Sequence, residues 1–187
     1  VAPAGTDDAM VYYMGGDENW EEMKKTAQSD GFIEHQGQKL TPEWFKEGVL
    51  YHIFIDRFNN GNRTGKPSNP KKNSFIYANW EDDPMYIKDK NGDIERWDFY
   101  GGNLKGVINK LGYLKKLGVS IIYLSPVFES SSNHKYNTGD YKKIDPMFGD
   151  EEIFRELIKK AEDKGISIIL DGVFSHTGAD SKYFNKF

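Results

Sequence analysis

The sequence predicts an α/β fold carried on a parallel sheet. Three observations lead there. Short β-branched and aromatic runs alternate with helix-period stripes in the order strand, helix, strand, helix, strand; a glycine closes each helix; and long polar segments follow the first two strands. Units alternating in this way imply right-handed crossovers with helices packed outside the sheet, a rule that an open Rossmann-type sheet and a (β/α)8 barrel both satisfy.

The first strand is the run Val49 to Ile55, ended by the turn chemistry of Asp56-Arg57-Phe58-Asn59-Asn60-Gly61. Leu104, Val107, Ile108, Leu111, Leu114 and Leu117 then fall on one stripe at helical spacing, and Gly118 stops the helix. Val119 to Leu124 follows as a buried strand. Asp150 caps a second helix with Ile153, Phe154, Leu157, Ile158 and Ala161 on its apolar face, Gly165 closes it, and Ile166 to Leu170 forms the third strand. Ahead of these units, residues 1–48 carry a weak pattern in which a polar stretch from Asn19 to Ser29 has helical character. They read as a lead-in or the tail of a preceding domain, and 49–187 as the sheet-bearing part.

The loops favour the barrel. Roughly 45 residues separate the first strand from its helix and roughly 25 the second from its own, against the usual ~2 to 6. Both long loops follow the C-terminal ends of strands, where a barrel builds its active site. No G-x-G-x-x-G follows any strand, and the lone pair Gly101-Gly102 is a weak signal, so nucleotide binding falls behind.

A formal net charge of −4 provides no basic patch to neutralise phosphates, and no run approaches the ~18 apolar residues needed to span a bilayer. Neither nucleic acid nor membrane is an expected partner. The absence of cysteine rules out disulfides and thiolate metal sites and leaves the compartment open, extracellular being favoured over cytoplasmic. Aromatic residues make up 14% of the chain, and such rings serve both as core and as platforms for sugar faces.

Three groups of residues can carry chemistry. Asp171 ends the third strand with His176 just beyond it, a pair suited to holding a hydroxyl-rich ligand and equally suited to capping and packing a neighbouring loop. The second loop carries His134 and Tyr136, ordinary loop packing residues or a sugar platform. The first loop gathers oxygen donors in Asn60 and Asn62, with Gly101 and Asn103 at its far end. Calcium prefers such oxygens in sets of about 6 to 8. Asn-Gly turns and a helix N-cap at Asn103 account for the same residues without a metal.

Four segments in register resemble the α-amylase family, glycoside hydrolase family 13, and its neopullulanase and amylopullulanase branch in particular. They are Val49 to Phe58, Phe99 to Gly106, Asn133 to Tyr141 and Asp171 to His176, within a likeness that covers roughly Thr41 to Phe187. The resemblance implies a partial (β/α)8 TIM barrel of which this chain holds the first three strands and two helices. It implies that His176 bonds the glucose at the cleavage subsite, that Tyr136 stacks on that ring, that Asp171 orders the centre, and that His134 lies among the substrate-binding groups. Family members use an Asp nucleophile, a Glu acid/base and a further Asp, which by this likeness lie on later strands beyond Phe187. The chain is then expected to be part of a longer polypeptide, a nicked product or a segment paired with another copy, and to be inactive alone.

The implied partners are an α-glucan and the remainder of the same polypeptide, and the implied reaction is retaining hydrolysis of α-1,4 or α-1,6 bonds in starch, pullulan or maltooligosaccharides. A transglycosylase sharing the covalent intermediate and a non-catalytic glucan-binding protein are the alternatives. Asn60, Asn62, Gly101 and Asn103 match positions that hold calcium in neopullulanase-like relatives, with amides here in place of carboxylates and Lys66 close by. Ser175 stands where the first family motif usually has Asn, and Asn137 replaces an acidic residue. Calcium is therefore at most a weak ligand, and no other cofactor is implied.

Overall fold

The computed structural model describes residues 43–184 of the chain. The polar stretch from Asn19 to Ser29 and most of the expected lead-in lie outside the described residues. The chain divides into two units, Val1–Gly48 and Val49–Phe187. In the first, Glu43–Lys46 forms a single helical turn, closed by the Gly48 amide donating to the Phe45 carbonyl at 3.2 Å.

The second unit opens with strand β1, Leu50–Ile53, followed by a 3-10 turn at Ile55–Arg57. Four short strands occupy the first long loop: β2 (Phe75–Ile76), β3 (Ile87–Lys88), β4 (Ile94–Arg96) and β5 (Asp98–Phe99). Helix α1 spans Leu104–Lys116 and leads to strand β6, Ile121–Leu124. The second long loop holds β7 (Phe128–Ser130) and β8 (Thr138–Ile144); helix α2, Glu151–Glu162, and strand β9, Ser167–Leu170, complete the series. The main sheet is parallel, in the order β1-β6-β9, with Ile53 level with Leu124 and Leu124 level with Leu170.

The strands are shorter than their apolar runs. Val49 precedes the strand and meets its neighbour through its carbonyl, which accepts the Ser120 and Ile121 amides, and Phe54 leads into the 3-10 turn, where Asp56 meets the far end of the loop. Its carboxylate accepts the Tyr100 and Gly101 amides at 3.1 Å each. The long loops are also more regular than the sequence predicts. β2 pairs with β5 in parallel, β3 with β4 and β7 with β8 antiparallel, so part of the excess length folds into small ladders that satisfy its own backbone.

Each helix starts on the cap its sequence predicts. The Asn103 side chain accepts from the Gly106 amide at 2.8 Å, and Asp150 Oδ1 accepts from the Ile153 amide at 2.8 Å. Gly118 and Gly165 take φ of +90° and +62°, which lets Val119 and Ile166 return amide bonds to the Leu114 and Ala161 carbonyls. Leu104, Val107, Leu111 and Leu114 are fully buried, as are Leu157 and Ala161. Leu117 and Ile158 depart from the predicted stripes: the first is a C-cap and the second turns off the seam, and both are exposed.

Period-2 alternation divides the sheet. Ile53, Ile122, Leu124 and Ile168 join the core with α1 and α2 on one face. The register places His52, Tyr123 and Ile169 in one row on the other. Both helices therefore cover the same side. They touch each other as well, through Lys105 and Glu156 at 3.2 Å.

The segment from Gly101 to Gly106 is shaped by close approach. A Cβ on Gly102 would sit 2.0 Å from the Ile55 carbonyl oxygen, and one on Gly106 1.8 Å from that of Asn59. The loop after β1 and the start of α1 thus meet backbone to backbone, and only glycine fits there.

Candidate functional site

Because the three strands are parallel and level, their C-terminal ends open on one side. The ladder runs one residue further, with the Ser125 amide donating to Ile53 and the Asp171 amide to Leu124. Ser125 and Asp171 therefore project to the face that carries His52 and Tyr123. A polar belt results. His52 Nε2 lies 2.9 Å from Ser125 Oγ, and the His52 ring meets Tyr123 edge-on with centroids 5.3 Å apart. The Tyr123 phenol is pushed up to about 12, first by burial and then by its hydrogen bond to Asp171 and the charge of that carboxylate.

Tyr136 reaches this belt from the second loop. Its hydroxyl donates to Asp171 Oδ2 at 2.8 Å, and its ring stays partly exposed. Burial raises its pKa first and Asp171 raises it further, so the phenol keeps its proton and remains a donor. His134 stands beside it, ring centroids 5.8 Å apart, with Nδ1 accepting the Tyr136 amide at 3.1 Å. Burial, and after it the charge of Lys135, hold the His134 pKa below the usual histidine value. On its other side His134 meets Trp97 edge-on at 4.9 Å, which ties the two long loops together. Asn133 adds a second tie, donating to Asp98 Oδ1 at 2.9 Å.

His176 is placed differently. It lines a hollow of about 600 Å³ with Tyr141, Phe174 and Phe184, among others, and neither Tyr136 nor Asp171 lines that space. Its Nδ1 lies 3.1 Å from Ser175 Oγ, and its carbonyl accepts the Tyr141 hydroxyl at 2.8 Å. The structure thus joins Tyr136, His134 and Asp171 directly and puts His176 in the adjoining hollow. The exposed Tyr136 phenol, the Asp171 carboxylate and the His134 imidazole present donors, acceptors and ring faces to a polyhydroxylated ligand, without a nucleophile and acid/base pair among them.

The first-loop amides converge, but on one another. Asn60 Oδ1 accepts from the Asn62 amide at 2.9 Å and from Asn103 Nδ2 at 3.3 Å; Asn103 Oδ1 accepts from the Gly61 and Gly106 amides. Asn62 Nδ2 donates to the Lys66 carbonyl at 2.6 Å and to Ser68. Gly101, at φ +86°, packs against Asn60 and Pro67. The Asn60 and Asn103 side-chain oxygens already face N–H groups, and the carboxylate at this end of the loop, Asp56, is held by the Tyr100 and Gly101 amides, so this arrangement does not fit calcium. Among the described residues no three His, Cys, Asp or Glu side chains group as a metal site, and no helix is long and apolar enough to cross a membrane.

His52, Tyr123 and Ser125 are site residues that motif reading passes over. Their signal is the period of two: each alternates with a core residue of a short strand, and a polar side chain at such a position faces away from the helices.

The family model for the alpha amylase catalytic domain matches residues 52–187. An amylopullulanase of Thermoanaerobacter thermohydrosulfuricus is 47% identical over 157 residues, covering 79% of this chain and 11% of the relative. Neopullulanase 2 of Thermoactinomyces vulgaris is 46% identical over 138 residues, covering 74% of this chain and 21% of its own length. Among solved structures, the type III pullulan hydrolase of Thermococcus kodakarensis superposes with a TM-score of 0.65 at 34% identity, over 81% of this chain and 28% of that one. The chain spans about a tenth of the length of the amylopullulanase it matches.

Proposed function

The chain belongs to the α-amylase family, glycoside hydrolase family 13, and on that premise we propose that it is the opening part of the catalytic barrel of a retaining α-glucan hydrolase. The observation that carries this reading is the Tyr136–Asp171 hydrogen bond at the open mouth of the parallel strands, inside the matched segment. The placement of both described helices, α1 and α2, on one face, and a second face lined by His52 and Tyr123, support a sheet that curls into a barrel over one packed in the middle of a sandwich.

In this reading Tyr136 offers its ring to a glucose unit while its hydroxyl stays fixed on Asp171, and His134 and His176 supply imidazoles to sugar hydroxyls. Asp171 orders the phenol and gains a charged hydrogen bond that holds the loop against the strand end. The nucleophile and acid/base lie on later strands outside this chain. In a retaining enzyme they stand about 5 to 5.5 Å apart and form, then hydrolyse, a glycosyl-enzyme intermediate. The substrates are α-1,4 and α-1,6 glucans of the starch and pullulan class, in line with the names of the relatives.

The test is expression of the longer polypeptide and, separately, of the 187 residues, each assayed on starch and pullulan for new reducing ends. Turnover by the former, with the α-anomer released first by NMR, and none by the latter is the expected result. No turnover by the longer protein, a β-anomer, or activity of the short chain overturns the proposal.

A further inference from the structure

Lys135 stands between the two rings of the second loop and goes the opposite way from both. Its φ is +65°, a left-handed conformation that non-glycine residues adopt only at a cost in backbone strain. The side chain is wholly buried. Its Nζ lies 2.8 Å from Asp145 Oδ2, donates to the Ser130 carbonyl at 3.2 Å, and sits about 5 Å from the ring centres of Phe99 and Phe148. Asp145 is itself fully buried, and its remaining capacity is taken by the Ser130 and Met147 amides and by Lys71 at 2.9 Å.

We propose that Lys135 is a positioning residue: its ammonium, locked on Asp145 beneath the loop, fixes the directions in which His134 and Tyr136 leave the chain on either side. Ser130 ends one strand of the loop hairpin beside the turn that residues 131–137 form, and Asp145 follows the far end of the other strand, so Lys135 folds back from the turn and ties it to both. The Lys135 amide adds a bond to Ser132 Oγ at 3.0 Å, and Ser132 in turn contacts His134 Nδ1 at 3.3 Å.

An ion pair stripped of water contributes little stability, since desolvation offsets attraction, and an apolar residue would fill the space as well. Burial indeed draws the Lys135 pKa down to about 8 against the opposing pull of Asp145. What a methylene chain cannot supply is direction. An ammonium donating to a fixed carboxylate and a fixed carbonyl holds the residue in its unfavourable backbone conformation. With Lys135 released, the backbone returns to negative φ, and Tyr136 swings away from Asp171.

The catalytic consequence rests on the α-glucan reading; the geometric one does not. The experiment therefore has two readouts on the full-length protein. In the first, Lys135→Met lowers kcat/KM on a maltooligosaccharide about tenfold in otherwise native protein and less than about twofold in a Tyr136→Ala background, since misplacing a ring that is absent loses nothing. Equal losses in both backgrounds, or no loss, overturn the proposal. In the second, hydrogen exchange of residues 131–137 speeds at least about tenfold in Lys135→Met while β6 and β9 stay protected. Unchanged exchange in the loop overturns it. If the wild-type protein cleaves no α-glucan, the functional reading fails alone and the exchange decides. If Lys135→Met does not fold, Lys135→Met combined with Asp145→Asn removes both buried charges and is read by the same two measurements.

Discussion

The Tyr136 hydroxyl donates to the Asp171 carboxylate at 2.8 Å, across a sequence separation of 35. A loop residue and a strand-end residue are thereby held as one unit at the rim of the sheet. Tyr136→Phe keeps the ring and removes the bond. A hydrogen bond to a charged group contributes about 1.5 to 3 kcal/mol, so kcat/KM of the longer protein on maltooligosaccharides is expected to fall by roughly tenfold or more, with Tyr136→Ala losing more still. A phenylalanine variant with native kinetics would show that the bond has no part in catalysis.

The glycine pair at Gly102 and Gly106 is a packing requirement. Alanine at either would place Cβ about 2 Å from a backbone oxygen, with no flexible side chain available to yield. Each substitution is expected to cost at least about 3 kcal/mol, above the common range for overpacking, and to appear as a lower urea midpoint or as insoluble protein. Gly112→Ala, where nothing lies within 4 Å of the added atom, is the control and should be neutral or stabilising.

The two helix caps are unequal. Asp150 serves the Ile153 amide at an exposed position, and Asp150→Ala should cost about 1 kcal/mol. Asn103 is buried and serves both Gly106 and Gly61, so Asn103→Ala also strands a second amide and should cost about 2 to 3 kcal/mol. Denaturant titration of the two variants side by side measures the difference.

Asp140 sets an acid limit. Hydrogen bonds from Lys182 first, then from the Lys142 amide, hold its pKa down to about 2 against an ordinary 3.8. The carboxylate is thus harder to protonate in the folded state than in the unfolded one. Its contribution is complete above about pH 4 and is lost as pH falls toward 2. Asp140→Asn should flatten the stability profile over that interval and leave it unchanged in shape near neutrality.

Millimolar calcium should leave the melting temperature of the wild-type chain unchanged, because Asn60 and Asn103 already direct their amide oxygens at N–H groups. A ligand that binds only the folded state raises the melting point with concentration. A calcium-dependent rise would show that the amide network rearranges around a cation.

Much of this protein is written locally. Helix stripes, their caps at Asn103 and Asp150, and the glycine stops at Gly118 and Gly165 depend on neighbours within a few residues, so periodicity and turn chemistry place them. Asp171, Tyr136, His134 and His176 were legible as candidates because their segments stand in a recognisable order. Which of them meet was not legible. That Tyr136 finds Asp171 while His176 opens on the neighbouring hollow depends on how a loop crosses a strand end, and on a buried Lys135–Asp145 pair that looks like two ordinary surface charges in the sequence. The same holds for the first-loop amides, whose oxygens meet N–H groups from the opposite end of the loop: Asn103 Oδ1 the Gly61 amide, and Asn60 Oδ1 the Asn103 side-chain amide. Spacing along the chain determines which side chains are available; only closure of the long loops decides the direction of each polar atom, because that direction is set by partners distant in sequence.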